Sequence, residues 1–447
     1  MPEDMTVMVV DGGARGHVIS EAYENDLRVK RVIVAPGNDF IGHDREKDVI
    51  VAKKCSLKDP ASLLAVAQQY KPDLVDVAQD DALALGTVDL FLKNGFDLTF
   101  GADRKASRIE WDKIWSREFM ERYNIPSPRS RGYGPDNLDE AEADLRARYD
   151  ENPDAWVFEK AFGLCGGKGA LDSRTLEQGL DNVRRLKAFG VAGERFVIED
   201  GMIGEEFSYV VISDGKTYRG FKPAQDNKLS ENFDRGDQTG GLGANAPSLV
   251  ALPMMEETRE RIIRPAIDGM REEDADYVGI LYLGAMDVNG HPKVVEFNAR
   301  PPDPEAQVIW PGLSNYPELV LAATQGRLHE VDVVQDNMYR WCVVGAARGY
   351  PNSKEAAKVK GKRIYGLEEA RRLSGISIYG AGIDVVGGRF YANGGRLFSI
   401  VAEGRNPMDA KQRAYEAMSY ISIEGNNLHF RTDIGWRDID RALRARE

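Results

Sequence analysis

The stretch YVGILYLGAMDVNGHPKVVEFNARPPDPEAQ, residues 277–307, decides the fold. An apolar run over 278–288 meets a second over 292–297 across Asn289-Gly290-His291. Asn-Gly supplies the positive backbone angles of a tight hairpin turn, so two antiparallel strands are expected. At the end of the second strand stand Glu296 and Asn298. Residues two apart on a strand share a face, which sets a carboxylate beside an amide oxygen. Two hard oxygen donors without His or Cys suit Mg²⁺ or Mn²⁺, held by few protein ligands and completed by phosphates. Arg300 and Asp303 follow at once and add one charge of each sign. A solvated strand end is the competing reading of Glu-x-Asn taken alone.

The longer segment LYLGAMDVNGHPKVVEFNARPPDPEAQ resembles the metal-binding segment of the phosphoribosylamine–glycine ligases, a family of ATP-grasp enzymes. The resemblance implies that Glu296 and Asn298 hold the metal bridging the ATP phosphates. It also implies an α/β fold: an N-terminal parallel α/β domain over residues 1–103, an ATP-grasp domain over 104–325 with a flap at about 126–195, and a small β-rich C-terminal domain over 326–447.

Composition agrees with a multidomain globular chain. There are 447 residues, 42% hydrophobic and 29% charged, enough for two to four domains. No apolar run approaches the roughly 18–20 residues that span a bilayer. The first residues carry acids ahead of the apolar run, unlike a secretory leader. Cys55, Cys165 and Cys342 are widely spaced, with no disulfide or zinc pattern, so a cytoplasmic protein is expected. A net charge of −13 argues against a nucleic-acid surface. Small-molecule substrates and a monomer or small homo-oligomer remain the expectation. The five histidines form no ligand cluster and need no catalytic role.

Read from the start, a strand at 5–10 runs into Asp11-Gly12-Gly13-Ala14-Arg15-Gly16-His17 and then a helix. Strand, glycine-rich turn and helix can cradle an anion on backbone N–H groups, and an ordinary tight turn is the alternative. Gly12, Gly13 and Arg15 are the substrate-side candidates there. Strands at 29–35, 49–51 and 74–78 alternate with helices, which implies a parallel sheet. The family's second loop, GPExPLxxG, survives over 78–86 only as Asp80, a Leu and the final Gly. A single helix is expected over 104–123. Lys113 on it sits where the family's phosphate-binding Lys stands.

A strand ending in Lys160 leads into AFGLCGGKG, residues 161–169. Its glycines let the backbone approach phosphates, and Lys168 adds charge, although the spacing is not that of a Walker loop. It resembles the family's flap, which makes Gly167, Lys168 and Gly169 ATP-site residues. The strand over 195–202 runs into a hinge. By resemblance, Glu199 and main-chain groups around Asp200 and Met202 meet the adenine, and Glu206 takes the ribose hydroxyls. QDNKL at 225–229 corresponds to the family's QDHKR and brings in Asp226 and Lys228. Gly240 and Gly241 lie in a loop able to fold over a substrate.

The reaction implied is amide formation. A carboxylate attacks the γ-phosphorus of ATP, and an amine then takes the acyl group from the acyl phosphate. Such chemistry needs positioning and charge neutralisation. Arg300, Lys168 and Asp226 are the candidate catalytic residues. Arg300 and Asp303, with Gly12, Gly13, Arg15, Asp80, Asp226, Lys228, Gly240 and Gly241, form the expected substrate side. Departures from the family cluster on that side, and Pro301-Pro302 in place of Phe-Gly is the most diagnostic. Three functions are therefore open: the family activity in purine synthesis, a paralogue joining another amino acid or amine, and a nucleotide-binding regulator without turnover.

Overall fold

The computed structural model describes residues 3–43, 45, 47–165 and 169–445. The chain opens with a parallel sheet in the order Asp48–Val51, Val29–Pro36, Met5–Asp11, Leu74–Val77, Thr99–Phe100. The central strands Met5–Asp11 and Leu74–Val77 and residues 32–35 are buried on both faces, which accounts for their Val/Ile-rich runs, while the edge strand Asp48–Val51 is only partly covered. The order reverses between Met5–Asp11 and Leu74–Val77. Ligands of such sheets bind beyond the strand carboxyl ends at this reversal, where Asp11 and Asp80 stand.

The helix expected over 104–123 is instead two, Arg108–Trp111 and Lys113–Arg122. Asp112 breaks it. Its backbone is extended, and Oδ1 accepts from the Trp115 N–H at 3.0 Å. A residue that caps the next turn cannot continue the previous one.

Two antiparallel sheets follow. One runs Ser130–Tyr133, Phe196–Asp200, Val157–Ala161, Ala170–Ser173, with its own small apolar core under Leu138–Glu151 and Leu176–Leu186. The other runs Tyr218–Gly220, Glu205–Asp214, Val278–Val288, His291–Asn298. The last two strands are the expected hairpin. Asn289 and Gly290 take φ of 55° and 85°, and Asp287 Oδ1 accepts from the Gly290 N–H at 2.7 Å.

The C-terminal sheet is not built from the C-terminal part alone. Gln225–Asp226 pairs with Gly243–Ala246, which pairs with Tyr339–Ala347, then Arg396–Gly404 and Ile376–Gly380. Mid-chain strands thus carry Asp226 and the loop after it onto the last domain. Helix Pro407–Ser419 covers this sheet, and a further helix, Trp436–Arg444, follows it. Among the described residues, no helix is long and apolar enough to cross a membrane.

Candidate active site

Glu296 pairs across the hairpin with Gly284, where a Cβ would come within 3.3 Å of Glu296 Cγ. The glycine therefore makes room for the carboxylate. Ala285 pairs with Val294, so Val295 bulges out, and its carbonyl accepts from Arg117 Nη2 at 2.7 Å. A bulge re-aims the residue that follows it. Burial pushes the Glu296 carboxyl upward, but Lys228, Lys160, Lys113 and Arg300 outweigh burial and hold it below the usual range. Asn298 Oδ1 accepts from Arg300 Nη2 at 3.2 Å, and its buried Nδ2 has no partner. No group of three or more His, Cys, Asp or Glu able to hold a metal occurs among the described residues. An ionised carboxylate beside an amide oxygen fits a hard cation that takes its other ligands from phosphate and water.

The nucleotide-side residues converge only in part. Lys113 is the first residue of its helix, and its Nζ donates to Gly163 O at 3.3 Å. Burial lowers its pKa, with Glu296 the leading counterweight. Lys160 is ion-paired to Glu199, which also receives Arg117 Nε at 2.9 Å. Asp200 does not join them. Adjacent strand residues face opposite ways. The Asp200 carboxylate meets Arg148 and Arg129, lining a surface cavity of about 470 Å³, and its N–H donates to Arg129 O at 2.9 Å. Glu206 forms an ion pair with Lys228 at 2.7 Å, joining two residues assigned to different substrates. Met202 is half-buried just past the strand. Gly169 O accepts from Ala161 N–H at 2.7 Å, while Gly167 and Lys168 lie outside the described residues.

The N-terminal turn is partly occupied by the chain itself. Asp11 Oδ1 accepts from the N–H groups of Gly13 at 2.6 Å and Gly16 at 3.2 Å, and Asp11 Oδ2 pairs with Arg15. Two of the turn's donors are thus met by the chain's own carboxylate, and Gly12 contributes its carbonyl to Asn38. Arg15 Nη1 reaches Pro301 O at 3.0 Å, so the turn touches the double-proline segment. Asp80 does converge with this side. Burial raises its carboxyl, and Arg300 and Arg15 override that to hold it low.

Around Arg300 the structure supplies a partner that sequence reading missed. Glu110 Oε1 lies 3.2 Å from the guanidinium, and burial pushes this carboxyl up to about 7 despite Arg300. Asp226 is another buried acid. Its carboxyl is driven well above the usual range by burial and then by Glu305. Glu305 is itself fixed by Ser208 Oγ at 2.6 Å. It stands within the quoted DPEAQ, where acidity was the available signal. Asp303 is a clasp: Gln307 Nε2 donates to Oδ1 at 2.8 Å, and Arg396 Nη2 lies 3.2 Å from Oδ2. Arg396 also contacts Gly240 and Gly241. Arg117 and Glu110 carry no local motif that separates them from ordinary surface charges, whereas Arg396 ends Asn393-Gly394-Gly395-Arg396, a turn that resembles one in the family's closing domain.

Known proteins agree along the whole chain. Family models match in succession: the phosphoribosylglycinamide synthetase N domain over residues 5–110, its ATP-grasp (A) domain over 111–306 and its C domain over 340–437. A phosphoribosylamine–glycine ligase of Vibrio parahaemolyticus is 34% identical over 443 residues, covering 98% of this chain and 99% of its own. One from Brucella melitensis is 35% identical with the same coverage. The crystal structure of the Thermotoga maritima phosphoribosylamine–glycine ligase superposes with a TM-score of 0.78 at 25% identity, over 96% of this chain and all of that one. The biotin carboxylase domain of Hydrogenobacter thermophilus 2-oxoglutarate carboxylase shares the fold, with a TM-score of 0.70 at 16% identity, over 96% of this chain and 92% of that one. With three consecutive domain models and full-length relatives in one order, this chain belongs to the phosphoribosylglycinamide synthetase family and has its ATP-grasp fold.

Proposed function

We propose that this protein is the ADP-forming ligase that joins glycine to phosphoribosylamine in purine synthesis, a cytoplasmic enzyme acting on small molecules. The full-length relatives of that name support the reaction. The observation that carries it is the ionised Glu296 beside Asn298, ringed by Lys113, Lys160, Lys228 and Arg300. That is a cationic pocket with one hard-metal corner, suited to polyphosphate.

In the first step a glycine carboxylate oxygen attacks the γ-phosphorus, and the bond to ADP breaks. In the second the amine attacks the acyl carbon, loses a proton, and phosphate leaves. Lys113 and Lys160 hold the phosphates in line, and the resemblance adds Lys168 as a further phosphate ligand. Arg300, kept charged beside Glu110, stabilises the transferring group. Asp226, with its raised carboxyl, takes the proton the amine gives up. A Mg²⁺ or Mn²⁺ held by Glu296 and Asn298 would neutralise phosphate charge.

One observation favours a second reading, a paralogue with a different acceptor: Asp11 already takes two N–H groups, those of Gly13 and Gly16, in the turn where a phosphorylated acceptor could dock. ADP release across a panel of amino acids and amines separates the two. Glycine with phosphoribosylamine should be turned over best. Another pair giving far more ADP would establish the paralogue. Glu296→Gln should cut the rate with the productive pair by orders of magnitude while the protein stays folded. Unchanged turnover at saturating Mg²⁺ would remove Glu296 from the site.

A further inference from the structure

Arg396 stands at the start of the strand Arg396–Gly404, in the heart of the C-terminal sheet, just after Gly394-Gly395. Its guanidinium reaches out of that sheet. Nη1 donates to Gly240 O at 2.5 Å and Asp303 O at 3.0 Å, with Gly241 O at 3.5 Å, and Nη2 lies 3.2 Å from Asp303 Oδ2. Tyr350, from the same region, accepts the Gly240 N–H on its hydroxyl at 3.0 Å. The C-terminal region therefore holds residue 240 at both its N–H and its carbonyl.

The loop so held is under steric constraint. Gly241 has φ of 99°, and a Cβ there would press on Pro304 and lie 2.6 Å from Asp226 Oδ1. Gly241 thus packs directly against the raised carboxyl of Asp226. On the other side, a Cβ on Gly13 would lie 3.8 Å from Asp303 Oδ2, so the same clasp sets Asp303 toward the N-terminal turn. One side chain ties together the loop after Asp226, the turn after Arg300 and, through Asp303, the edge of the first domain.

We infer that Arg396 is a positioning residue of the ligase site, supplied by the C-terminal domain, that shapes the pocket for the two non-nucleotide substrates without touching ATP. The inference rests on the ligase reading above. A planar fork serving three carbonyls and a carboxylate is specific to Arg, and the point charge of Lys does not reproduce it.

The test uses the full-length enzyme with Arg396→Lys, Arg396→Met and Tyr350→Phe. Two readouts apply: KM for each substrate, and hydrogen exchange across residues 239–242. Both Arg396 variants should raise the KM for glycine, for phosphoribosylamine or for both by about tenfold or more, with the ATP KM within about threefold. Lys should not rescue. Exchange at 239–242 should quicken in all three variants. Tyr350→Phe, which loses only a hydroxyl, keeps this readable if Arg396→Met fails to fold. Unchanged KM values, an ATP KM rising in step, or unchanged exchange would each overturn the inference. If the unsubstituted enzyme does not turn over glycine with phosphoribosylamine, the proposed function fails, and exchange at 239–242 then decides the inference alone.

Discussion

Asp76 shows how one buried side chain links titration to stability. It is 1% exposed in the strand Leu74–Val77, and its Oδ2 accepts from Tyr316 Oη at 2.7 Å and Tyr23 Oη at 2.9 Å. Burial pushes its carboxyl up to about 6, although both tyrosines pull it back. The folded protein therefore keeps this proton at a pH where the unfolded chain has lost it. Unfolding releases a proton between about pH 4 and 6, so the stability contribution of Asp76 falls as pH rises through that window. Asp76→Asn keeps an oxygen for both tyrosines and cannot ionise. Relative to the parent, it should gain up to about 3 kcal/mol between pH 4 and 6.5 in denaturant unfolding. A difference that does not vary with pH would sink the assignment. Glu296 is the counterexample: half-buried, and with burial likewise pushing its carboxyl upward, it stays ionised because four cations face it.

At the scale of elements, the hairpin Val278–Val288 with His291–Asn298 sets the register of the site. Its turn depends on Gly290 at φ 85°, with nothing near the position a Cβ would take. Gly290→Ala should cost about 1–2 kcal/mol purely through backbone strain, measured as a lowered unfolding midpoint. No loss would mean the turn adopts another geometry. Asp112 works similarly for the helices. By capping Lys113–Arg122 it fixes Lys113 as a first-turn residue. The bulge at Val295 is a third such device, locked by Arg117.

Across the whole molecule, the first and last domains meet through backbone as much as side chains. His17 Nδ1 accepts the Gly380 N–H at 2.9 Å, and Asn38 Nδ2 donates to Gly380 O at 2.9 Å. His17 stays neutral, its pKa lowered by burial first and then by Arg45 and Arg371. A Cβ on Gly380 would lie 2.5 Å from Phe40 Cβ, with no flexible end to yield. Gly380→Ala should lower stability by about 1–3 kcal/mol and quicken amide exchange on both sides of this contact. Faster exchange in the flap sheet alone would show that the two domains are not coupled there.

Local chemistry is what sequence carries. The Asn-Gly turn, the paired Glu296 and Asn298, the Val/Ile strands of the parallel sheet and the glycine-rich segments all follow from short-range sterics and periodicity, while the family and its ATP-grasp fold come from the resemblance carried by residues 281–307. Resemblance added the order of the domains. The helix over 104–123 was misread because one capping Asp outweighs a continuous periodic pattern, and only the folded backbone reveals which wins. The N-terminal turn shows a related effect: the sequence places Asp11 at the head of the glycine-rich turn, and in three dimensions it closes the strand and turns its carboxylate back onto Gly13 and Gly16. Asp200 and Glu199 are neighbours in the chain and opposites in space. Glu110, Glu305 and Arg396 act across separations of tens to hundreds of residues, and the strand Gly243–Ala246 leaves its own domain to pair with Tyr339–Ala347. Long-range ion pairs and strand pairing have no local periodicity to announce them. Their partners are selected by burial, where a charge without a counter-charge is too costly to keep, and that selection exists only once the chain has folded.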